Sequence, residues 1–110
     1  MAQTLLAQLA QGEVKFSDVL VFIEARYTHT PTAFKNGQQA NAATENQGSA
    51  KVFSFAQLNS LNKQQTLSLF AEHYTSVLNT PEASDHQNIR QFMINGWDGI
   101  QFDGTALTAK

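Results

Sequence analysis

Apolar residues recur at helical spacing in short segments of this chain, and that pattern constrains its fold more than any other feature. The clearest segment starts at Ser17, a predicted N-cap, with Phe16 and Val21 at the two positions of a hydrophobic staple. We expect this helix to end near Thr28, because Thr30 precedes a proline and that position disfavours helical geometry. The apolar face consists of Val19, Leu20, Phe22, Ile23 and Tyr27.

Two more helices are predicted on either side of that segment. The first runs from Thr4 to Gln11 and stops at Gly12. The third follows Ser49, which is suited to cap it, although Phe53 and Phe55 also alternate as in a strand. Its apolar set is Val52, Phe53, Phe55, Ala56 and Leu58.

The fourth predicted helix has the strongest start signal, since Asn62 and Gln65 have the spacing of a capping box. It continues until Pro81 and carries the apolar stripe Leu67, Phe70, Tyr74, Val77 and Leu78. A fifth helix is predicted to begin at Asp85 and to stop at Asn95-Gly96. Its stripe is Ile89, Phe92 and Met93.

The remaining segments predict a small β element. Asn36-Gly37 is a hairpin signal with a weak right flank, followed by coil through Asn46. Ile100 and Phe102 alternate between two Asp-Gly pairs and indicate one short strand. We therefore expect a mainly helical α+β fold, a single compact domain over residues 1–110 with about five helices. The second, fourth and fifth helices are expected to supply its core.

Charge and composition exclude several functional classes. The chain has 110 residues, a net charge of −2 and no cysteine, so disulfides and thiolate metal sites are absent. Its seven basic residues are dispersed, which disfavours nucleic-acid and anionic-membrane binding. The first positive side chain is Lys15 and the longest apolar run is Val19 to Ile23, so we predict neither a secretory leader nor a membrane span.

Three strings in the sequence are distinctive: Thr30-Pro31-Thr32-Ala33-Phe34-x-Asn36-Gly37, Gly48-Ser49-x-Lys51-Val52-Phe53-x-Phe55-Ala56-x-Leu58, and Asp85-His86-x-Asn88-Ile89-Arg90-x-Phe92-Met93-x-x-Gly96-Trp97-x-Gly99-Ile100-x-Phe102. With them the sequence resembles the HopJ type III effector family over essentially the whole chain. Two positions depart from the family pattern: Ala50 stands where a Cys commonly follows Gly-Ser, and Thr75 where an Arg often follows the aromatic residue. If any family activity needs that thiol, this chain lacks it.

The resemblance implies a role but no chemistry. Family members are named as proteins injected into plant cells by bacterial secretion machinery, and relatives occur in bacteria without an obvious plant host. We therefore expect a bacterial cytoplasmic protein that type III secretion can export, acting through a protein partner, such as a host protein, rather than as an enzyme. The resemblance implies no cofactor.

The best candidate site is the cluster Asp85-His86-x-Asn88-x-Arg90. At helical spacing His86 and Arg90 share one face near a helix N-terminus, where free N–H groups favour an anionic ligand. The alternative is structural: Asp85 caps the helix, and Arg90 pairs with an acid such as Glu72 or Glu82. The cluster thus keeps open a second function, binding of a small anionic molecule or a minor enzymatic activity.

Other candidates are weaker. His29, His73 and His86 are scattered singly, so no metal site is predicted, although three elements could still bring them together. Ser49 lacks the glycine pattern of a nucleophile elbow. Trp97 is a candidate wall of a ligand pocket, but a single Trp before a strand is more often a core anchor.

Overall fold

The computed structural model describes residues 2–12 and 14–110, and it confirms a mainly helical α+β fold. The α-helices in this part of the chain are α1 Ala2–Ala10, α2 Phe16–Arg26, α3 Gln47–Leu58, α4 Lys63–Ser68, α5 Glu72–Asn79 and α6 Gln87–Asn95, with a 3₁₀ helix at Gly96–Gly99. The strands are β1 Tyr27–His29, β2 Phe34–Asn36, β3 Gln39–Asn41, β4 Ile100–Phe102 and β5 Leu107–Ala109. No helix among the described residues is long and apolar enough to cross a membrane.

The strands form two small antiparallel sheets. In the larger sheet β2 lies between β3 and β4, and the predicted hairpin turns at Gly37-Gln38 with Asn36 opposite Gln39. The predicted hairpin and the predicted strand β4 are therefore confirmed. In the smaller sheet β1 pairs with β5. Neither strand was predicted, because three residues show too little alternation for a strand to be recognised. Consequently α2 ends at Arg26, before the predicted end at Thr28.

The second, fourth and fifth predicted helices all contribute buried residues to the core, as expected, but helix α3, which the prediction left out, contributes six buried residues of its own. Its consecutive buried residues from Val52 to Ala56 explain why the segment also resembled a strand. It begins at Gln47, so Ser49 lies within its first turn and does not cap it. Its buried residues are Ala50, Val52, Phe53, Ser54, Phe55 and Ala56.

The start of α2 also differs from the prediction. The helix begins at Phe16, and the Lys15 N–H donates to the Asp18 carboxylate at 3.0 Å, so Ser17 is not the N-cap. Val21 is 65% exposed and makes no staple. The Phe16 ring packs elsewhere, against the segment that connects α4 to α5.

The fourth predicted helix is divided into α4 and α5. Its capping box is confirmed: the Gln65 N–H donates to Asn62 Oδ1 at 2.8 Å, and the Asn62 N–H donates to Gln65 Oε1 at 3.0 Å. The chain leaves helical geometry at Ala71, which has a φ of 51°. This break allows the consecutive residues Leu69 and Phe70 both to enter the core. It also starts a new helix just before His73.

Candidate functional site

A cleft of about 330 Å³ opens where the first turns of α3, α5 and α6 meet. We call it the histidine cleft, because two of its residues are His73 from α5 and His86 from the start of α6. Phe16, the first residue of α2, and Gln39 of β3 also line it. Its walls include Phe16, Asn46, Ser49, His73, His86 and Asn88.

The two imidazoles pack against each other and extend a series of aromatic rings. The ring centroids of His73 and His86 lie 5.0 Å apart with the planes at 35°. The Phe16 ring meets the His73 ring edge-on, with the ring centroids 4.9 Å apart. Phe16 also stacks on Phe70, with the centroids 5.7 Å apart and the planes at 8°. All four rings line the histidine cleft, so one wall is a continuous aromatic surface.

Helices α3 and α6 both begin at the histidine cleft with unusual caps. Asn46 and His86, their N-cap residues, have left-handed backbone angles, and neither side chain caps its own helix. Across the described residues, the N–H groups of Gln87 and Asn88 have no hydrogen-bond partner. Helix starts with unpaired N–H groups attract anions. Non-glycine residues with positive φ cost about 1–3 kcal/mol, so they persist only where the surrounding structure holds them in place.

A network of buried asparagines fixes the two helix starts relative to the β2–β3 hairpin. Asn88 donates from Nδ2 to Asn41 Oδ1 at 3.0 Å, and its Oδ1 accepts from Asn41 and Asn36 at 3.2 and 3.1 Å. Asn46 donates to the same Asn41 oxygen at 2.7 Å. Hydrogen bonds between buried side chains rigidify the groups that they join, although Asn36 Oδ1 has no partner among the described residues. The starts of α3 and α6 therefore hold a fixed separation across the cleft.

Two carboxylates lie beside the imidazoles. Burial raises the pKa of Glu72, but a hydrogen bond from the Phe16 N–H and the charges of His73 and Lys15 outweigh it, so the pKa falls below its usual value. The hydrogen bond from Arg90 lowers the pKa of Asp85, and the charges of His86 and Arg90 lower it further. Both carboxylates are thus ionised at neutral pH. Asp85 pairs with Arg90 at 2.8 Å and its other oxygen lies 3.9 Å from His86 Nε2, whereas Glu72 accepts the Phe16 N–H at 2.7 Å.

Arg90 lies outside the histidine cleft, at the loop between α5 and α6. Its Nη2 donates to Asp85 Oδ1 at 2.8 Å, and its Nε donates to the Asp85 carbonyl at 2.5 Å. Nη1 donates to the carbonyls of Thr80 and Pro81 at 2.9 and 3.3 Å. Its acid partner is therefore Asp85 and not Glu72 or Glu82. Asp85 does not cap α6, because its side chain is taken by Arg90.

Trp97 also lies away from the histidine cleft. Its ring packs edge-on against Phe53 and Phe92, and its Nε1 donates to the Leu61 carbonyl at 3.0 Å. Trp97 therefore anchors the core, which was the alternative interpretation of this residue. Of the four candidate ligand residues, the structure thus brings His86 and Asn88 to the cleft and places Arg90 and Trp97 elsewhere.

Apart from His86 and Asn88, the residues that line the cleft were not predicted as ligand-binding residues; they include His73, Phe16 and Ser49. His73 was noted only as a scattered histidine, and its approach to His86 depends on the break before α5. His29 does not join the pair, because its Nε2 lies 3.1 Å from Gln47 Oε1. Within residues 2–12 and 14–110, no group of three or more His, Cys, Asp or Glu side chains is arranged to hold a metal ion.

Comparison with known proteins identifies the family. The model of the HopJ type III effector protein family matches residues 2–107, nearly the whole chain. One solved structure, described as the crystal structure of the unknown function protein VPA0580, is 49% identical with a TM-score of 0.91, and the match covers 98% of this chain and 92% of that one. No curated protein matches the chain. The motifs of the sequence, its fold and the extent of the family match agree, and the chain belongs to the HopJ type III effector protein family.

Proposed function

We propose that this HopJ family protein binds a small anionic molecule in the histidine cleft. The observation that carries the proposal is the contact between the His73 and His86 rings, 5.0 Å apart, at a cleft whose other lining residues include amides, a hydroxyl and aromatic rings. Two imidazoles held this close repel each other when both are charged, and a bound anion removes that repulsion. An anion is therefore the ligand that this pair is best suited to hold.

Unpaired donors around the imidazoles support the same ligand chemistry. The hydrogen bonds of the described residues do not involve the Ser49 hydroxyl or the His73 ring nitrogens, and the first N–H groups of α6 are likewise unpaired. Phosphate and carboxylate oxygens accept from all three kinds of donor. Ser49 sits in the first turn of α3, so two helix starts approach the same anion.

Isothermal titration calorimetry with inorganic phosphate tests the proposal. At about pH 6 we expect His73→Gln and His86→Gln each to weaken binding about tenfold, the value of one charge-assisted hydrogen bond. Lys35→Gln is the matched control, because it removes one positive charge from an exposed position on β2, away from the cleft. If all three variants bind phosphate equally, the attraction is general and the cleft is not the site.

An interaction with a protein partner is a second candidate function, favoured by a different surface. A groove of about 310 Å³ between α5 and α6 is lined by Val77, Pro81, Met93 and Ile94 among others. Ile94 is 72% exposed, and such apolar side chains at a groove suit a protein partner. Ile94→Lys should then abolish capture of a specific protein from host lysate, whereas Val21→Lys, at an equally exposed site on α2, should not.

The family description also favours delivery by type III secretion from the bacterial cytoplasm. A fusion of this chain to a reporter enzyme that is active only in host cytosol would test delivery. We expect activity in host cells from a secretion-competent strain and none from the same strain without its secretion apparatus. Equal signals from both strains would exclude this route.

A further inference from the structure

We infer that the anion in the histidine cleft is carried on a planar heteroaromatic molecule, of the chemical class of the nucleoside monophosphates. This inference rests on the proposed function and specifies its ligand. Three features of the cleft support it: the ring series along one wall, the amide oxygens around it and its size.

The ring series offers a stacking surface next to the proposed anion position. Phe70, Phe16, His73 and His86 follow one another with centroid separations of 5.7, 4.9 and 5.0 Å. Phe70 is buried and supports Phe16, while Phe16 and the imidazoles are half-buried at the cleft. Heterocyclic bases stack on such rings with a gain of about 1–3 kcal/mol each. A protonated imidazole adds attraction to the electron-rich face of a base.

Amide oxygens supply hydrogen-bond acceptors for the edge of such a ring. Gln39, Asn46 and Gln87 line the cleft, and each uses its amide nitrogen to donate to the protein: Gln39 to the Ala40 carbonyl, Asn46 to Asn41 Oδ1, and Gln87 to the Ser84 carbonyl. In the described part of the chain the oxygens of these three amides accept no hydrogen bond. Acceptor oxygens suit the N–H and amino groups of a heterocycle.

The size of the cleft also favours a ligand larger than a single anion. Its volume of about 330 Å³ falls within the range of small-molecule sites. Inorganic phosphate occupies the space of only a few water molecules, at about 30 Å³ each. A ring attached to the phosphate through a sugar fills the remainder and reaches the aromatic wall.

Calorimetric titration with four probes tests this inference: inorganic phosphate, ribose 5-phosphate, adenosine 5′-monophosphate and adenosine. We expect adenosine 5′-monophosphate to bind about tenfold or more tightly than ribose 5-phosphate, because only the former stacks. Two substitutions of His73 distinguish the contribution of its ring to binding from the contribution of its charge. His73→Phe keeps a planar ring and should keep the preference for the nucleotide while losing phosphate affinity. His73→Gln should lose both, with far-UV circular dichroism confirming that each variant is folded.

The outcomes separate the two proposals. If inorganic phosphate binds but the nucleotide binds no more tightly than ribose 5-phosphate, the heteroaromatic ligand is wrong and the anion proposal stands. If His73→Phe loses the nucleotide preference as fully as His73→Gln does, the aromatic wall does not hold the base. If none of the three phosphates binds at about pH 6, the proposed function fails and the inference fails with it.

Discussion

At the scale of single residues, the guanidinium of Arg90 fastens the loop between α5 and α6 to the first turn of α6. It donates to the carbonyls of Thr80, Pro81 and Asp85 and to the Asp85 carboxylate. Arg90 is only 9% exposed, so most of these hydrogen bonds are shielded from water. Removing the head group would leave loop carbonyls and a carboxylate to be resolvated. Arg90 is therefore expected to stabilise the fold and to keep His86 in place.

Replacing Arg90 should lower stability. Arg90→Gln keeps part of the stem but loses most of the donors, so we expect the free energy of unfolding to fall by about 1–3 kcal/mol. Urea denaturation followed by circular dichroism measures this change. Lys63→Gln, which removes an exposed positive charge at the start of α4, is the control and should change stability little. Equal stability of both variants and the parent would mean that the Arg90 contacts contribute nothing.

The ion pair between Asp85 and Arg90 predicts that the stability of the fold depends on pH in the acid range. The hydrogen bond from Arg90 lowers the pKa of Asp85 in the folded protein, so below about pH 4 the unfolded chain binds the proton more readily. The stability that the pair contributes is therefore present above that pH and is lost as the pH falls through the lowered pKa. Urea midpoints at about pH 6 and about pH 3 should differ less for Asp85→Asn than for the parent. In the Arg90→Gln background, Asp85→Asn should have a smaller effect, the part due to His86; an effect as large as in the parent would contradict the assignment.

At this scale there is a physical reason why the structure places only some of the predicted site residues at one cleft. Spacing of four residues places His86 and Arg90 on one face only if both are helical. His86 is the N-cap of α6 and has a φ of 52°, so its side chain leaves the helix in another direction. Asn88 lies inside the helix start itself, and it lines the cleft together with His86. No local pattern could place His73 beside His86, since their contact depends on tertiary packing.

At the scale of elements, the turns around β4 fix the sheet against the β2–β3 hairpin. The Gly37 N–H donates to the Gly99 carbonyl at 2.9 Å, which joins the hairpin turn to the 3₁₀ helix before β4. A Cβ at Gly99 would lie 2.9 Å from Asn95 Cβ and 3.0 Å from the Gly37 nitrogen, closer than packing allows. Two Asp-Gly pairs flank β4, but only the first is this crowded. The second, at Gly104, meets nothing nearer than Thr32 Cγ2 at 3.7 Å.

The two glycines form a matched pair for a stability measurement. We expect Gly99→Ala to lower the free energy of unfolding by about 1–3 kcal/mol, because backbone must move to admit the methyl group. Gly104→Ala should be neutral or should stabilise by up to about 1 kcal/mol through the unfolded chain. Thermal denaturation of both variants measures the difference. Equal losses at the two positions would show that the close approach at Gly99 does not matter.

Element boundaries show how far the sequence could be interpreted. The capping box at Asn62 and the stop at Asn95-Gly96 were predicted correctly, because both signals are local. The predicted caps Ser17 and Ser49 were wrong, since each helix starts before them. The division of the fourth helix was missed because Ala71 carries no sequence signal for a positive φ. The break accompanies the burial of the consecutive residues Leu69 and Phe70, which is a tertiary feature.

At the scale of the whole molecule, one core joins the described helices and both sheets. Its buried residues include Leu5 in α1 and Leu107 in β5, which lie near the two ends of the described chain, and several residues of α3 in the middle. The assignment of residues 1–110 to one domain stays a prediction, and it predicts a single cooperative unfolding transition. Scanning calorimetry should give a calorimetric enthalpy equal to the van't Hoff enthalpy. Two separable transitions would indicate two independently folding parts.

The central claim is that His73 and His86 together hold an anion, and nuclear magnetic resonance of the imidazole protons tests it most directly. The chain has three histidines, and His29 lies against Gln47, outside the pair. During a titration with inorganic phosphate at about pH 6, we expect the His73 and His86 signals to move with one common saturation curve while the His29 signal stays in place. Signals that remain unchanged, or three histidines that shift alike without saturating, would contradict the claim.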